Sequence, residues 1–225
     1  MFLLIIHILY TRVYNYLTTA IMYIKVIIHI GVRVVYVYFN LGVVIMLFVY
    51  DQCINTYGSD YKVKKKLDSQ ELFKIDNGVY STEPKPSELE LICFKYPNAI
   101  FTMDSAFYYL GLTDVIPDFY CLATKRNYTR IHNPLVKQFF SLDNIFLLGR
   151  DVINYQGHDI NIYNQERMLI ELIRNKNKFP FDFYKEIIGN YRQRVGSVNF
   201  GLIDNYLQCF KYSENISNAI QMEIL

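Results

Sequence analysis

The sequence predicts an α+β protein: an N-terminal winged helix-turn-helix, then a mixed α+β domain with a small sheet and a helical C-terminal part. Three observations carry that reading. Residues 57–81, YGSDYKVKKKLDSQELFKIDNGVYS, read as a lysine-rich helix followed at once by a tight hairpin. Pro84-Lys85-Pro86 then breaks the chain as a short stiff linker. Beyond it, strand-like segments come first and 3.6-residue periodicity later, the order expected of an α+β domain. The resulting division is 1–45 apolar extension, 46–83 winged helix and 84–225 α+β domain.

Residues 1–50 contain no Asp or Glu, and Arg12, Lys25 and Arg33 are their only full charges. Residues 34–50, VVYVYFNLGVVIMLFVY, are interrupted only by Asn40 and Gly42. They approach the ~20 apolar residues of a spanning helix, and Arg33 could snorkel at one end. A secretory signal fits poorly, because a basic start and a small-residue cleavage site are both missing. The favoured expectation is a mis-assigned start upstream of Met46, where ordinary globular sequence begins. The alternative is a membrane anchor.

The elements follow in order. Residues 47–56 are expected as a first helix with Val49, Cys53 and Thr56 inward. Gly58-Ser59-Asp60 makes a turn, and Ser59 or Asp60 caps the lysine helix. Val63 and Leu67 form its buried face, which leaves Tyr61, Lys62, Lys64, Lys65 and Lys66 for solvent or phosphate. Leu72 to Ile75 alternates, Asp76-Asn77-Gly78 turns, and Val79-Tyr80 returns. Lys74 and Asn77 lie on that hairpin. Ser87 and Glu90 form a capping box for a helix to Tyr96, which Pro97 stops. Ala99 to Phe101 reads as a buried strand, and Asp104 caps a helix ending at Gly111. Phe119 to Ala123, Ile145 to Leu148, Val152 to Tyr155 and Ile160 to Ile162 read as strands. In NQERMLIELIRNK, Met168, Leu169, Leu172 and Ile173 make one apolar stripe, and Arg167 and Arg174 can pair with Glu166 and Glu171. Phe183, Ile187 and Ile188 lie on the next helix, and helices near 200–211 and 214–224 close the chain.

Chemistry is sparse. There are 23 Lys and Arg against 21 Asp and Glu, so any nucleic-acid footprint must be local. Cys53, Cys93, Cys121 and Cys209 lack CxxC spacing, and the histidines are scattered. No cofactor or metal is expected, and the cysteines read as buried or half-buried free thiols. There is no phosphate loop and no nucleophile elbow. A metal-nuclease pattern would place Asp118 before a carboxylate and Lys125, but Ala123 stands at the carboxylate position. Lys125, Arg126 and Arg130, with Tyr128 among them, suit phosphate or RNA contact.

From about Met46 onward the chain resembles the AbiEi-type antitoxins of bacterial abortive-infection toxin–antitoxin systems. The matching segments are LFKIDNGVYS, FTMDSAFYYLGLTDVIP, YCLATKR and INIYNQERMLIELIRNK. The resemblance implies a cytoplasmic, non-enzymatic repressor of its own operon. It implies binding to inverted-repeat operator DNA through Tyr61, Lys62, Lys64, Lys65 and Lys66, with Lys74 and Asn77 on the wing, and self-association on that DNA. It also implies a nucleotidyltransferase-like toxin as partner, with antitoxicity at Lys125, Arg126 and Arg130. Residues 1–45 have no counterpart in the family pattern.

Overall fold

The computed structural model describes residues 25–30, 33–40, 43–45 and 47–225; expectations about residues 1–24 and Met46 lie outside them. The chain divides into two compact units, Met1–Ser87 and Glu88–Leu225. Together they are α+β, with a small sheet, a larger mixed sheet and a helical C-terminal part.

In the first unit, β1 (Lys25–Ile30), β2 (Arg33–Asn40) and β3 (Val43–Ile45) form a three-stranded sheet in that order, antiparallel throughout. The described part of residues 34–50 is therefore mostly strand rather than a spanning helix. Runs of Val, Ile, Tyr and Phe favour a pleated surface, where branched and aromatic side chains lose less freedom than in a helix. Among the described residues no helix is long and apolar enough to cross a membrane.

A second small sheet follows. Strand β4 (Leu47–Val49) leads into α1 (Tyr50–Tyr57) and α2 (Asp60–Asp68), then the hairpin β5 (Phe73–Asp76) and β6 (Val79–Ser81). The sheet order is β4-β6-β5, so the first strand pairs with the last. The expected first helix thus starts three residues late. Leu47, Phe48 and Val49 pair with Ser81, Tyr80 and Val79 instead, because the returning hairpin strand offers a ladder that local propensity does not reveal. Gly58 closes α1 at φ +91°, its amide donating to the Ile54 carbonyl at 2.7 Å. Ser59 caps α2 by accepting from the Lys62 amide at 3.3 Å. At the hairpin tip Gly78 takes φ +74°, and Asp76 accepts from the Asn77 amide. The core is small: Phe48, Cys53, Val63, Leu72 and Tyr80, with Tyr50, Ile54, Tyr57 and Leu67 packed against it.

The second unit opens with α3 (Glu88–Lys95), β7 (Ile100–Phe101) and α4 (Met103–Tyr109). Strands β8 (Tyr120–Lys125) and β9 (Val136–Ser141) precede the short α5 (Asp143–Phe146). The hairpin β10 (Arg150–Tyr155) and β11 (His158–Tyr163) completes the sheet. The helical end comprises α6 (Gln165–Arg174), α7 (Phe181–Gln193), α8 (Phe200–Leu207) and α9 (Ser213–Ile224). The sheet order is β10-β11-β7-β8-β9, with β11/β7 and β8/β9 parallel and the other pairs antiparallel.

Three sequence expectations change here. Residues 145–148, expected as a strand, lie in the short helix α5 and the turn after it; the Ile145 and Leu148 carbonyls accept from the Arg167 guanidinium, at 2.7 and 3.0 Å, not from a neighbouring strand. Strand β9 carries no strand signal in the sequence, since Lys137-Gln138-Phe139-Phe140 breaks strict alternation. Helix α6 also exceeds its expected single stripe. Met168, Leu169, Ile170 and Leu172 are all fully buried, while Ile173 is only partly so. The helix is buried on most of its circumference, Glu166, Arg167 and Glu171 included, and α4, α8 and α9 pack around it.

Ser105-Ala106 explains one motif structurally. The Ser105 hydroxyl donates to the Phe119 carbonyl at 3.0 Å and accepts from the Cys121 amide at 2.8 Å, tying α4 to the start of β8. Ala106 is fully buried beside it, where a larger side chain would not fit.

Candidate nucleic-acid interface

Two basic surfaces carry the residues singled out from sequence, one on each unit. On the first, Val63 is fully buried and fixes the orientation of α2. At about 100° per residue, Tyr61 and Lys65 then lie opposite the core, with Lys62 and Lys64 on the flanks. All four are exposed, Tyr61 by 75 %. Ser59 caps the helix and Asp60 sits in its first turn, where a carboxylate opposes the positive end of the helix dipole.

Two of the lysines are engaged within the unit. Lys64 pairs with Asp60 at 2.9 Å, and the Tyr50 hydroxyl also donates to Asp60. Lys66 is half-buried, pairs with Glu71 at 2.7 Å and lies over the Tyr57 ring. These contacts raise the pKa of both lysines and hold the Glu71 carboxyl below its usual range. Lys66 thus ties α2 to the turn that leads into the hairpin, while Lys62 and Lys65 form no salt bridge among the described residues, although Glu71 lies within the electrostatic reach of Lys65. Lys74 and Asn77 are exposed on the hairpin. Between residues 47 and 87 six lysines are matched by six carboxylates, so attraction to a polyanion rests on their arrangement rather than on net charge.

On the second unit, residues 125–130 are exposed without interruption, from the end of β8 into the crossover to β9. Lys125, Arg126 and Arg130 all lie there, with Tyr128 39 % exposed among them. Asp118 is exposed ahead of β8 and Ala123 is buried within it. Among the described residues no group of three or more His, Cys, Asp or Glu side chains could hold a metal ion.

The arginines of the QERMLIELIR helix behave differently. Arg167 is 1 % exposed. Its guanidinium lies between the Tyr163 and Phe210 rings, at 4.6 and 4.8 Å. It donates to Glu171 at 2.9 and 3.1 Å as well as to the two carbonyls of the α5 segment. Arg174 also pairs with Glu171, at 2.9 Å, and lies over the Phe210 ring at 4.7 Å. Glu166, expected as an ion-pair partner, instead accepts from the Asn199 amide and the Gln165 side chain. The pairing of Arg167 with Glu171 follows from i,i+4 spacing; its depth in the core does not.

The four cysteines are free thiols. Burial pushes Cys53 up to about 11 and Cys93 up to about 12, which keeps both protonated and unreactive near neutrality. Cys209 is exposed, in contrast to the expectation that all four would be at least half-buried. Gln138 is the residue near the second basic surface that sequence reasoning missed, and a lone glutamine in an unrecognised strand offers no signal. No protein-family model matches the chain, and no curated protein matches it either.

Proposed function

We propose that this chain is a DNA-binding antitoxin that represses its own operon, with residues 46–83 acting as a winged helix-turn-helix. The observation that carries the reading is the order strand, helix, short turn, helix, hairpin, with the first strand paired to the last. The second helix of that order is α2, whose outer side presents Tyr61, Lys62, Lys64 and Lys65. A helix of this kind enters the major groove, and lysines beside it hold the phosphate backbone. Lys74 and Asn77 are then the wing residues that meet the adjacent backbone. The resemblance in sequence to AbiEi-type antitoxins supplies the rest. The operator is an inverted repeat bound by two copies of the chain in the cytoplasm, and a nucleotidyltransferase-like toxin is the protein whose action it counters. Lys125, Arg126 and Arg130 form the surface assigned to antitoxicity.

The test is a gel-shift titration on the DNA immediately upstream of the gene. Saturable binding that weakens steeply with salt is expected. Replacing Lys62 and Lys65 by Ala removes two phosphate contacts and should flatten the slope of log K against log salt by about 2. Wild-type affinity and slope in that double variant would reject α2 as the DNA-contacting helix. A parallel co-expression assay, with the adjacent toxin-like reading frame, reads antitoxicity directly.

A further inference from the structure

The crossover from β8 to β9 joins two neighbouring parallel strands through residues 126–135 and contains no helix. Parallel neighbours are usually joined through a crossover of a dozen or more residues, commonly a helix. Here an irregular loop does it, and its shape is fixed by one side chain. Gln138 lies on β9 opposite Leu122 of β8. Its Nε2 donates to Thr124 Oγ1 at 2.8 Å and to the Thr129 carbonyl at 3.3 Å. Its Oε1 accepts from the Ile131 amide at 2.9 Å. The Tyr128 amide closes a turn on the Lys125 carbonyl at 3.0 Å. The stretch is therefore held at both ends while its side chains face solvent.

The cations on this loop differ from the other arginines of the unit. Arg150, Arg167, Arg174, Arg192 and Arg194 each donate to a partner inside the fold. Among the described residues Arg126 and Arg130 donate to none, and Lys125 forms no salt bridge with a carboxylate. Nearby Lys137 is set apart from them, because Asp104 lies within its electrostatic reach. Three cations that the fold does not use, spaced around an exposed tyrosine on a pinned loop, suit a strand of phosphates with an unstacked base against the ring. A base inside a duplex has no free face to offer, so the tyrosine favours a single strand.

We infer that the Lys125–Arg130 loop is a binding site for single-stranded nucleic acid: Lys125, Arg126 and Arg130 contact phosphates, Tyr128 stacks on a base, and Gln138 is a positioning residue. This site is separate from α2 and stands whether or not α2 binds an operator. Fixing the loop before binding reduces the ordering cost of association.

Fluorescence anisotropy on the full chain tests it, using a labelled single-stranded RNA of about twelve nucleotides, within the span that such surfaces cover, the same sequence as single-stranded DNA, and its duplex. Single strands should bind at least tenfold more tightly than the duplex in the Lys62→Ala, Lys65→Ala background, which removes two of the α2 phosphate contacts. Tighter RNA binding identifies RNA as the source, and equal binding identifies single strands in general. Tyr128→Ala should weaken binding about tenfold, as loss of one stacked base does, whereas Tyr128→Phe retains it. Arg126→Ala with Arg130→Ala should lower the salt slope by about 1.4. Gln138→Ala should weaken binding with the salt slope unchanged, because no charge is lost. Equal affinity for duplex and single strand, or indifference to both Tyr128→Ala and the double arginine variant, overturns the proposal. The Arg126, Tyr128 and Arg130 side chains are exposed, so an unchanged melting curve confirms that those loop variants are folded.

Discussion

Arg167 and Arg126 are the same residue type within one folded unit, yet they do opposite things. Arg167 is enclosed by two aromatic rings, a carboxylate and two backbone carbonyls. Arg126 stands in solvent with its neighbours Lys125 and Arg130. A buried guanidinium is tolerable only when its donors are satisfied, so the structure around Arg167 is committed to it. An exposed, unpaired guanidinium stabilises the fold little and remains available to an anion. The contrast teaches where to look for function: at cations that the fold does not consume. The lysines of α2 divide in the same way, since Lys66 is tied to Glu71 while Lys62 and Lys65 are not.

The largest way to test that contrast is Arg167→Ala. It leaves Glu171 with only Arg174 and Asn175, removes the guanidinium donor from the Ile145 and Leu148 carbonyls and opens a void between Tyr163 and Phe210. Urea denaturation should show a loss of about 3–5 kcal/mol, whereas Arg126→Ala should change stability by less than about 0.5 kcal/mol. Comparable losses in the two variants would erase the distinction.

Gly149→Ala comes next. Gly149 has φ +75°, and an added Cβ would lie 2.5 Å from the Arg167 Cβ. Strain and overlap together should cost about 2–4 kcal/mol, measured by the same denaturation. A variant as stable as wild type would show that the α6 helix has room to shift.

Ser59→Ala removes the cap of the basic helix and should cost about 1 kcal/mol. Circular dichroism melting is the measurement. Operator affinity should fall with it only as far as α2 loosens, while binding of single strands by the 125–130 loop stays constant. Loss of both together would mean that the two surfaces are not independent.

The smallest effect is on acid stability. Partial burial pushes the Glu223 carboxyl up, but hydrogen bonds from Lys176 and Tyr184 outweigh it and leave the group below its ordinary value. Its contribution is present above the unfolded pKa of about 4.3 and is lost as pH falls through the folded value. Burial lowers His158, so the fold prefers the neutral imidazole and loses stability as pH falls below about 6.5. Melting temperature should therefore decline in two stages on acidification. Glu223→Gln should shrink the lower stage, which it shares with the lowered Glu71 carboxyl, and His158→Asn the upper one; an unchanged profile in either variant would exclude that group as a cause.

Much of the local structure was legible because its determinants are local. Ser59 before Asp60-Tyr61-Lys62, Asp76-Asn77-Gly78 between two apolar pairs, and the periodic run from Met168 to Ile173 each specify an element through contacts a few residues apart. The misreadings share one cause. Leu47–Val49 is a strand because β6 returns beside it, and Ile145–Leu148 turns because Arg167 captures its carbonyls. Strand β9 forms because β8 offers it a parallel edge. Each depends on a partner 16 or more residues away, which no local window contains.

The candidate sites divide along the same line. The sequence by itself determined which residues are basic, that they cluster at 62–66 and 125–130, and that Arg167 has Glu171 within helical reach. Tertiary structure decided their uses: which lysine ties α2 to its hairpin, which arginine is enclosed and which remain in solvent, and that Gln138 fixes the loop bearing them. The reason is physical. Charge and helical spacing are properties of neighbours along the chain, whereas burial and hydrogen-bond satisfaction depend on what folds back from elsewhere.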